Sequence, residues 1–146
     1  MIPDVIEELK KKDLVKMDDG ALCMFLPPKK KNKERIPLML IKSDGGYNYD
    51  TTDMAAARYR LMNLKADRCI YITDLGQENH FDNIFKGAEL AGWHTPPKTQ
   101  MQHMGFGIVL GDDGKRMKTR SGKTVKLMGL LDEAKEKAKD QLMQRF

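Results

Sequence analysis

No apolar run in these 146 residues approaches the length of a membrane-spanning helix, and no secretory leader is read at the start. The chain is therefore expected to be soluble, with no membrane partner. Cysteine is scarce. Cys23 and Cys69 are the only two, they form no CxxC pair, and no ligand cluster accompanies them. They are expected to be reduced, buried thiols in a reducing compartment, the cytoplasm first, with an organelle left open. His80, His94 and His103 are too dispersed to suggest a metal site, so no metal ligands are expected within the protein. The phosphate-cradling pattern GxxxxGK[ST] is absent, as are internal repeats.

What remains is an ordinary globular composition, 40% apolar and 32% charged, enough for one domain with a modest core. The net charge of +5 is mild for nucleic-acid binding, but its distribution is uneven. Lys29, Lys30, Lys31, Lys33 and Arg35 form one basic cluster, which reads as a solvated loop. Lys115, Arg116, Lys118, Arg120, Lys123 and Lys126 form another, with no acid among them.

Apolar spacing predicts a short helix over 2–11, with Pro3 in its first turn and Val5, Ile6 and Leu9 on one stripe. Asp19-Gly20 predicts a hairpin across 14–26. After Pro27, Pro28 and the lysine run the pattern changes. Strands are expected at 37–42, 69–73 and 101–104, and helices at 51–65 and 79–91, the second stopped by Gly92. Met54, Ala57, Leu61 and Leu64 share one helical face, and Phe81, Ile84, Phe85 and Ala88 another. A further short strand is placed at 108–110 and a charged amphipathic helix from 127 onward. Strand, helix, strand, helix, strand implies parallel crossovers with helices covering the sheet, the α/β class.

Ligands of open parallel sheets bind beyond the carboxyl ends of the strands. Three polar segments follow candidate strands there: 43–53, 73–80 and 103–107. In the first, Asp50 is expected to cap the helix and Asp53 to lie in its first turn. Asp53 then either complements the helix N-terminus or, with Tyr49 beside it, grips a cationic ligand. In the second, Asn79 is placed to cap the next helix, and Gln77 either adds loop polarity or orients a polar substrate. In the third, Gly105 and Gly107 permit close backbone approach, and Phe106 can pack on a base. The loop 112–124 joins cations, glycines and hydroxyls. It can wrap a triphosphate, meet RNA phosphates or simply be solvated.

Several stretches, in this order, resemble the arginyl-tRNA synthetase family over most of residues 1–133. They are Lys42-Ser43-Asp44-Gly45-Gly46-Tyr47 with Tyr49-Asp50-Thr51-Thr52-Asp53-Met54-Ala55-Ala56; Ala66-Asp67 with Ile70-Tyr71-Ile72; and Gly76-Gln77 with His80-Phe81. His103-Met104-Gly105-Phe106-Gly107-Ile108-Val109-Leu110-Gly111 follows, then Lys118-Thr119-Arg120-Ser121-Gly122 with Val125-Lys126-Leu127. The resemblance implies a partial Rossmann-type parallel sheet of the class I synthetases with flanking helices, after a small N-terminal helix and hairpin insertion. The divisions implied are 1–35 for the insertion, 36–131 for the second half of the catalytic domain, and 132–146 for a connecting helix.

It also implies ATP, taken with magnesium, as substrate, L-arginine as the amino acid and tRNA as acceptor. Carried over by position, Tyr49, Asp53 and Gln77 would hold arginine. His103, Phe106, Gly107, Val109 and Leu110 would bind ATP. Lys118, Thr119 and Arg120 would stabilise the phosphorus under attack, as a degenerate KMSKS loop. The register leaves open whether Lys118 or Arg120 is the main phosphate ligand. A guanidinium is a rigid fork of donors that a carboxylate meets with two parallel bonds.

The pattern His-x-Gly-His, which the family carries in the first half of its fold, is absent. The resemblance places Met1 in the segment linking the two halves, so the chain is expected to be a partial product forming little or no arginyl-adenylate alone. The alternative function is a non-catalytic RNA- or nucleotide-binding module derived from that fold, and a scaffold ranks last. An unpaired sheet edge and an uncovered apolar face are expected to drive self-association.

Overall fold

The computed structural model of the chain describes residues 1–29, 33–107 and 127–145. It divides into two units, Met1–Gly107 and Ile108–Phe146. The strand expected at 108–110 and the basic loop lie outside the described residues.

Pro3 opens helix α1 (Ile2–Lys11) in the first turn, where a missing N–H leaves no bond unmade. Val5, Ile6 and Leu9 fall on its inner stripe and are buried. Asp19 and Gly20 both take positive φ, 43° and 76°, forming the two-residue turn that joins β1 (Lys16–Asp18) to β2 (Ala21–Met24). Such a turn matches the strand twist, and glycine enters it without steric cost. All four residues of β2 are buried.

The strand β3 (Leu38–Ile41) is where the expected topology fails. It pairs antiparallel with β2, Cys23 opposite Met39 and Met24 opposite Leu38, with an irregularity between Leu22 and Cys23. A buried strand such as β2 cannot leave one edge of N–H and C=O groups unmet, and β3 supplies the partners. Among the described residues only β4 (Arg68–Asp74) and β5 (Gln100–Phe106) are parallel, in unbroken register from Arg68–Gln100 to Asp74–Phe106. Among the described residues the sheets are thus β1-β2-β3 and β4-β5. The α/β class stands, with the parallel part among the described residues formed by two strands around one crossover helix.

That crossover is α3 (Glu78–Leu90). The other long element, α2 (Tyr49–Arg58), runs on into a π-helical turn, Tyr59–Asn63. Met54, Ala57 and Leu61 are buried as their spacing predicts, but Leu64 is exposed, because the helix has ended there. Thr51 pins α2 to β3, its buried hydroxyl donating to the Leu40 carbonyl at 2.6 Å. Leu9, Met24, Leu38, Leu40, Met54 and Ile84 are fully buried. Each such side chain contributes about 1.5–3 kcal/mol.

At one end of the core Glu8 gathers three donors. Arg58 Nε reaches it at 2.6 Å, Lys12 Nζ at 2.8 Å and the indole Nε1 of buried Trp93 at 2.8 Å. Burial alone would raise the carboxyl. The bonds from Lys12, Trp93 and Arg58 outweigh it and hold Glu8 at about 2. The second unit contains helix α4 (Leu127–Met143), which carries a Lys137–Glu133 pair at 2.6 Å.

Candidate functional site

The first expectation to fall concerns helix capping. Asn48, not Asp50, caps α2. Its side chain accepts the Thr51 N–H, and the Thr51 hydroxyl accepts the Asn48 N–H, both at 3.4 Å. Asp50 turns instead to β3, where its Oδ2 accepts the Met39 N–H at 2.9 Å. With the cap at Asn48, Asp53 becomes the fifth helical residue. It lies past the four amides that lack helical partners, so the reading of Asp53 as a helix-terminus carboxylate loses its footing.

At the carboxyl end of β4, Asp74 accepts the Gly76 N–H at 3.0 Å and caps the short 3-10 turn Leu75–Gln77. It also accepts from Gln77 Nε2 at 3.0 Å, so the amide oxygen of Gln77 remains as acceptor for a ligand. Asn79 lies inside α3 rather than at its cap, since Gln77 takes that position without a side-chain bond. The strand β5 passes this turn closely. A Cβ on Gly105 would stand 3.2 Å from Leu75 Cα and 3.0 Å from its Cγ. Glycine at 105 is what lets the turn carrying Gln77 seat against the sheet.

Tyr49, Asp53, Gln77 and His80 line one open cleft of about 470 Å³. Tyr49 is 83% exposed at its mouth, whereas Asp53 and His80 are partly buried. The residues named for arginine therefore do converge, from α2 and from the turn after β4. The sequence assigned no role to His80. Its Nε2 lies 2.6 Å from Asp53 Oδ2 and its Nδ1 3.3 Å from Asp50 Oδ1. Bonds to Asp50 and to Asp53 outweigh desolvation and raise the imidazole to about 9. The ring is thus held as a cation at neutral pH, Nε2 hydrogen-bonded to Asp53 and Nδ1 in ion-pair contact with Asp50. The available signal was two aspartates three apart on one helix face, with a histidine opening the next helix.

The residues named for ATP are only partly brought together. His103 faces inward, bonded to Thr73 Oγ1 at 2.8 Å and stacked on Phe81 with ring centroids 5.2 Å apart. It lines a second cleft, of about 440 Å³, with Lys29, Glu78, Asn79, Asp82 and Phe85. Phe106, three residues along the strand, falls on the opposite face and is half exposed, with Gly107 exposed after it. Neither His103 nor Phe106 lines the cleft of Tyr49, Asp53 and Gln77. Val109, Leu110, Lys118, Thr119 and Arg120 lie outside the described residues. Among the described residues no group of three or more His, Cys, Asp or Glu side chains is placed to hold a metal.

Comparison with known proteins gives a consistent result. The family model described as tRNA synthetases class I (R), catalytic domain, matches residues 1–145. The chain is 49% identical over 146 residues to the arginine–tRNA ligase of a Synechococcus species, covering 99% of this chain and 25% of that protein. It is 53% identical over 131 residues to the arginine–tRNA ligase of Protochlamydia amoebophila, covering 89% of this chain and 22% of that one. The crystal structure of arginyl-tRNA synthetase from Plasmodium falciparum superposes with a TM-score of 0.70 at 37% identity, over 99% of this chain and 22% of the other. The chain thus spans about a quarter of the length of these relatives.

Proposed function

Because the chain belongs to the class I arginyl-tRNA synthetase catalytic-domain family, we propose that it supplies the arginine-holding half of a site in which ATP activates that amino acid. The observation that carries this reading is the shared cleft of Tyr49, Asp53 and Gln77. The guanidinium lies against the Asp53 carboxylate, the Tyr49 ring covers it from the solvent side, and the Gln77 amide oxygen accepts a further N–H. Lysine, a compact point charge, leaves part of this acceptor set unmet.

ATP, taken as its magnesium salt, is the second substrate. The resemblance assigns ATP to His103, Phe106, Gly107, Val109 and Leu110, with Phe106 and Gly107 offered from the exposed face of β5 and His103 acting from its other face, while Lys118, Thr119 and Arg120 are assigned to the phosphates. An oxygen of the arginine carboxylate attacks the α-phosphorus, the bond from that phosphorus to the bridging oxygen breaks, and pyrophosphate leaves with the electron pair. A terminal ribose hydroxyl of tRNA then attacks the arginyl carbonyl carbon, and AMP departs. The basic loop stabilises negative charge on phosphorus in the first step. The same reading keeps 1–35 as an insertion, 36–131 as the catalytic half and 132–146 as a connecting helix, in a cytoplasmic enzyme. Among the described residues no helix is long and apolar enough to cross a membrane.

A non-catalytic RNA- or nucleotide-binding module has no use for a guanidinium cleft, so the cleft favours the ligase reading. Calorimetry separates the two. Arginine is expected to bind weakly to the chain, and Asp53→Ala is expected to abolish the heat with the circular dichroism unchanged. Equal heats from both proteins would defeat the assignment.

A further inference from the structure

The cleft contains one group that the proposed chemistry does not use. His80 is clamped on both sides, and the chain of bonds through it begins on the backbone of β3. The Met39 N–H holds Asp50 at 2.9 Å, Asp50 lies 3.3 Å from His80 Nδ1, and His80 Nε2 lies 2.6 Å from Asp53. The ring itself is steadied by Phe81, edge-on at 5.1 Å between centroids. We infer that His80 is a positioning residue that makes the cleft select a guanidinium over an ammonium ion, by locking the plane of the Asp53 carboxylate. This rests on the reading of the cleft as an arginine site.

The argument is one of acceptor geometry. A carboxylate offers about four lone-pair sites. His80 takes one on Oδ2, which leaves one there and both on Oδ1, enough for two parallel N–H bonds. A fork needs both oxygens at a fixed angle and gains from a plane already set. An ammonium needs one acceptor and follows a rotating carboxylate equally well. Among the described residues the Asp53 carboxylate is hydrogen-bonded to His80 alone, so without the imidazolium its plane is free to turn. Removing the imidazolium also adds one net negative charge, which favours any cation. Loss of His80 should therefore weaken the fork while leaving the point charge unharmed or better bound.

The test titrates the 146-residue chain with methylguanidinium and with methylammonium, following amide shifts by NMR. These probes carry only the two head groups, so contacts to the rest of an amino acid do not enter. The unaltered chain is expected to favour methylguanidinium about tenfold. His80→Ala is expected to reduce that ratio to near one, with methylguanidinium bound more weakly and methylammonium bound as well or better. His80→Gln, whose amide can still donate to Asp53, should restore part of the ratio. Asp50→Asn, which loosens His80 from behind without lining the cleft, should lower it by a smaller factor and serves if His80→Ala does not fold. A ratio unchanged in folded His80→Ala, or in both Asp50→Asn and His80→Gln, overturns the role of His80 alone. If neither probe binds the unaltered chain, the reading of the cleft itself is overturned, and the inference with it.

Discussion

Two residues at opposite ends of the core have titrations pushed in opposite directions, and the signs are readable. Glu8 is held at about 2, below its ordinary 4.5. Its contribution is complete above about pH 4.5 and disappears as pH falls towards 2. Glu8→Gln keeps a partner for Trp93 but surrenders the charge that Lys12 and Arg58 meet, at a cost of about 1–3 kcal/mol. Urea midpoints at pH 7 should show that loss in full, and the gap between variant and parent should shrink as pH falls from 4.5 towards 2. A gap constant across that window would mean the charge contributes nothing. His80 runs the other way. Raised from 6.5 to about 9, it stabilises fully below pH 6.5 and loses that contribution as pH rises through 9. At this scale the grouping of Tyr49, Asp53 and Gln77 in one cleft was legible through a run of matched motifs. His80 was not, because a histidine gains meaning only from what the fold sets on either side of it.

Elements with local causes were legible, and those with distant causes were not. α1 follows from Pro3 and one apolar stripe, and the β1–β2 turn from Asp19-Gly20. Both are decided within a few residues. β3 was legible as a strand but not in its pairing. Four apolar residues in a row do not say which edge they will join, and the edge of β2 was nearer in the chain than that of β4. The outer face of β4 and β5 carries exposed apolar side chains. Ile70 is 50% exposed, Ile72 70%, Met104 49% and Phe106 52%. Patches of this kind favour association. Light scattering should show concentration-dependent growth of the chain, and Ile72→Lys should suppress it by placing charge at the centre of the patch. A monodisperse monomer at high concentration would refute the expectation.

For the whole molecule, the arithmetic of length decides what to expect. The 146 residues span about a quarter of the length of the relatives they match, and they carry no His-x-Gly-His pattern. Pyrophosphate exchange by these 146 residues alone, with arginine and tRNA present, should run near background, and robust exchange would overturn that expectation. The residues expected to meet ATP were the least legible part of the proposed site. The alternation of β5 sends His103 and Phe106 to different faces, a division that a motif read along a line does not reveal. The indole of Trp93, the sole tryptophan, offers an optical readout. It sits just past the C-terminal end of α3, while Gln77 and His80 stand at the other end, about 20 Å away along the helix. Fluorescence from that buried ring should therefore shift when the core opens and stay silent when a ligand enters the cleft, so melting can be followed by emission without interference from bound arginine.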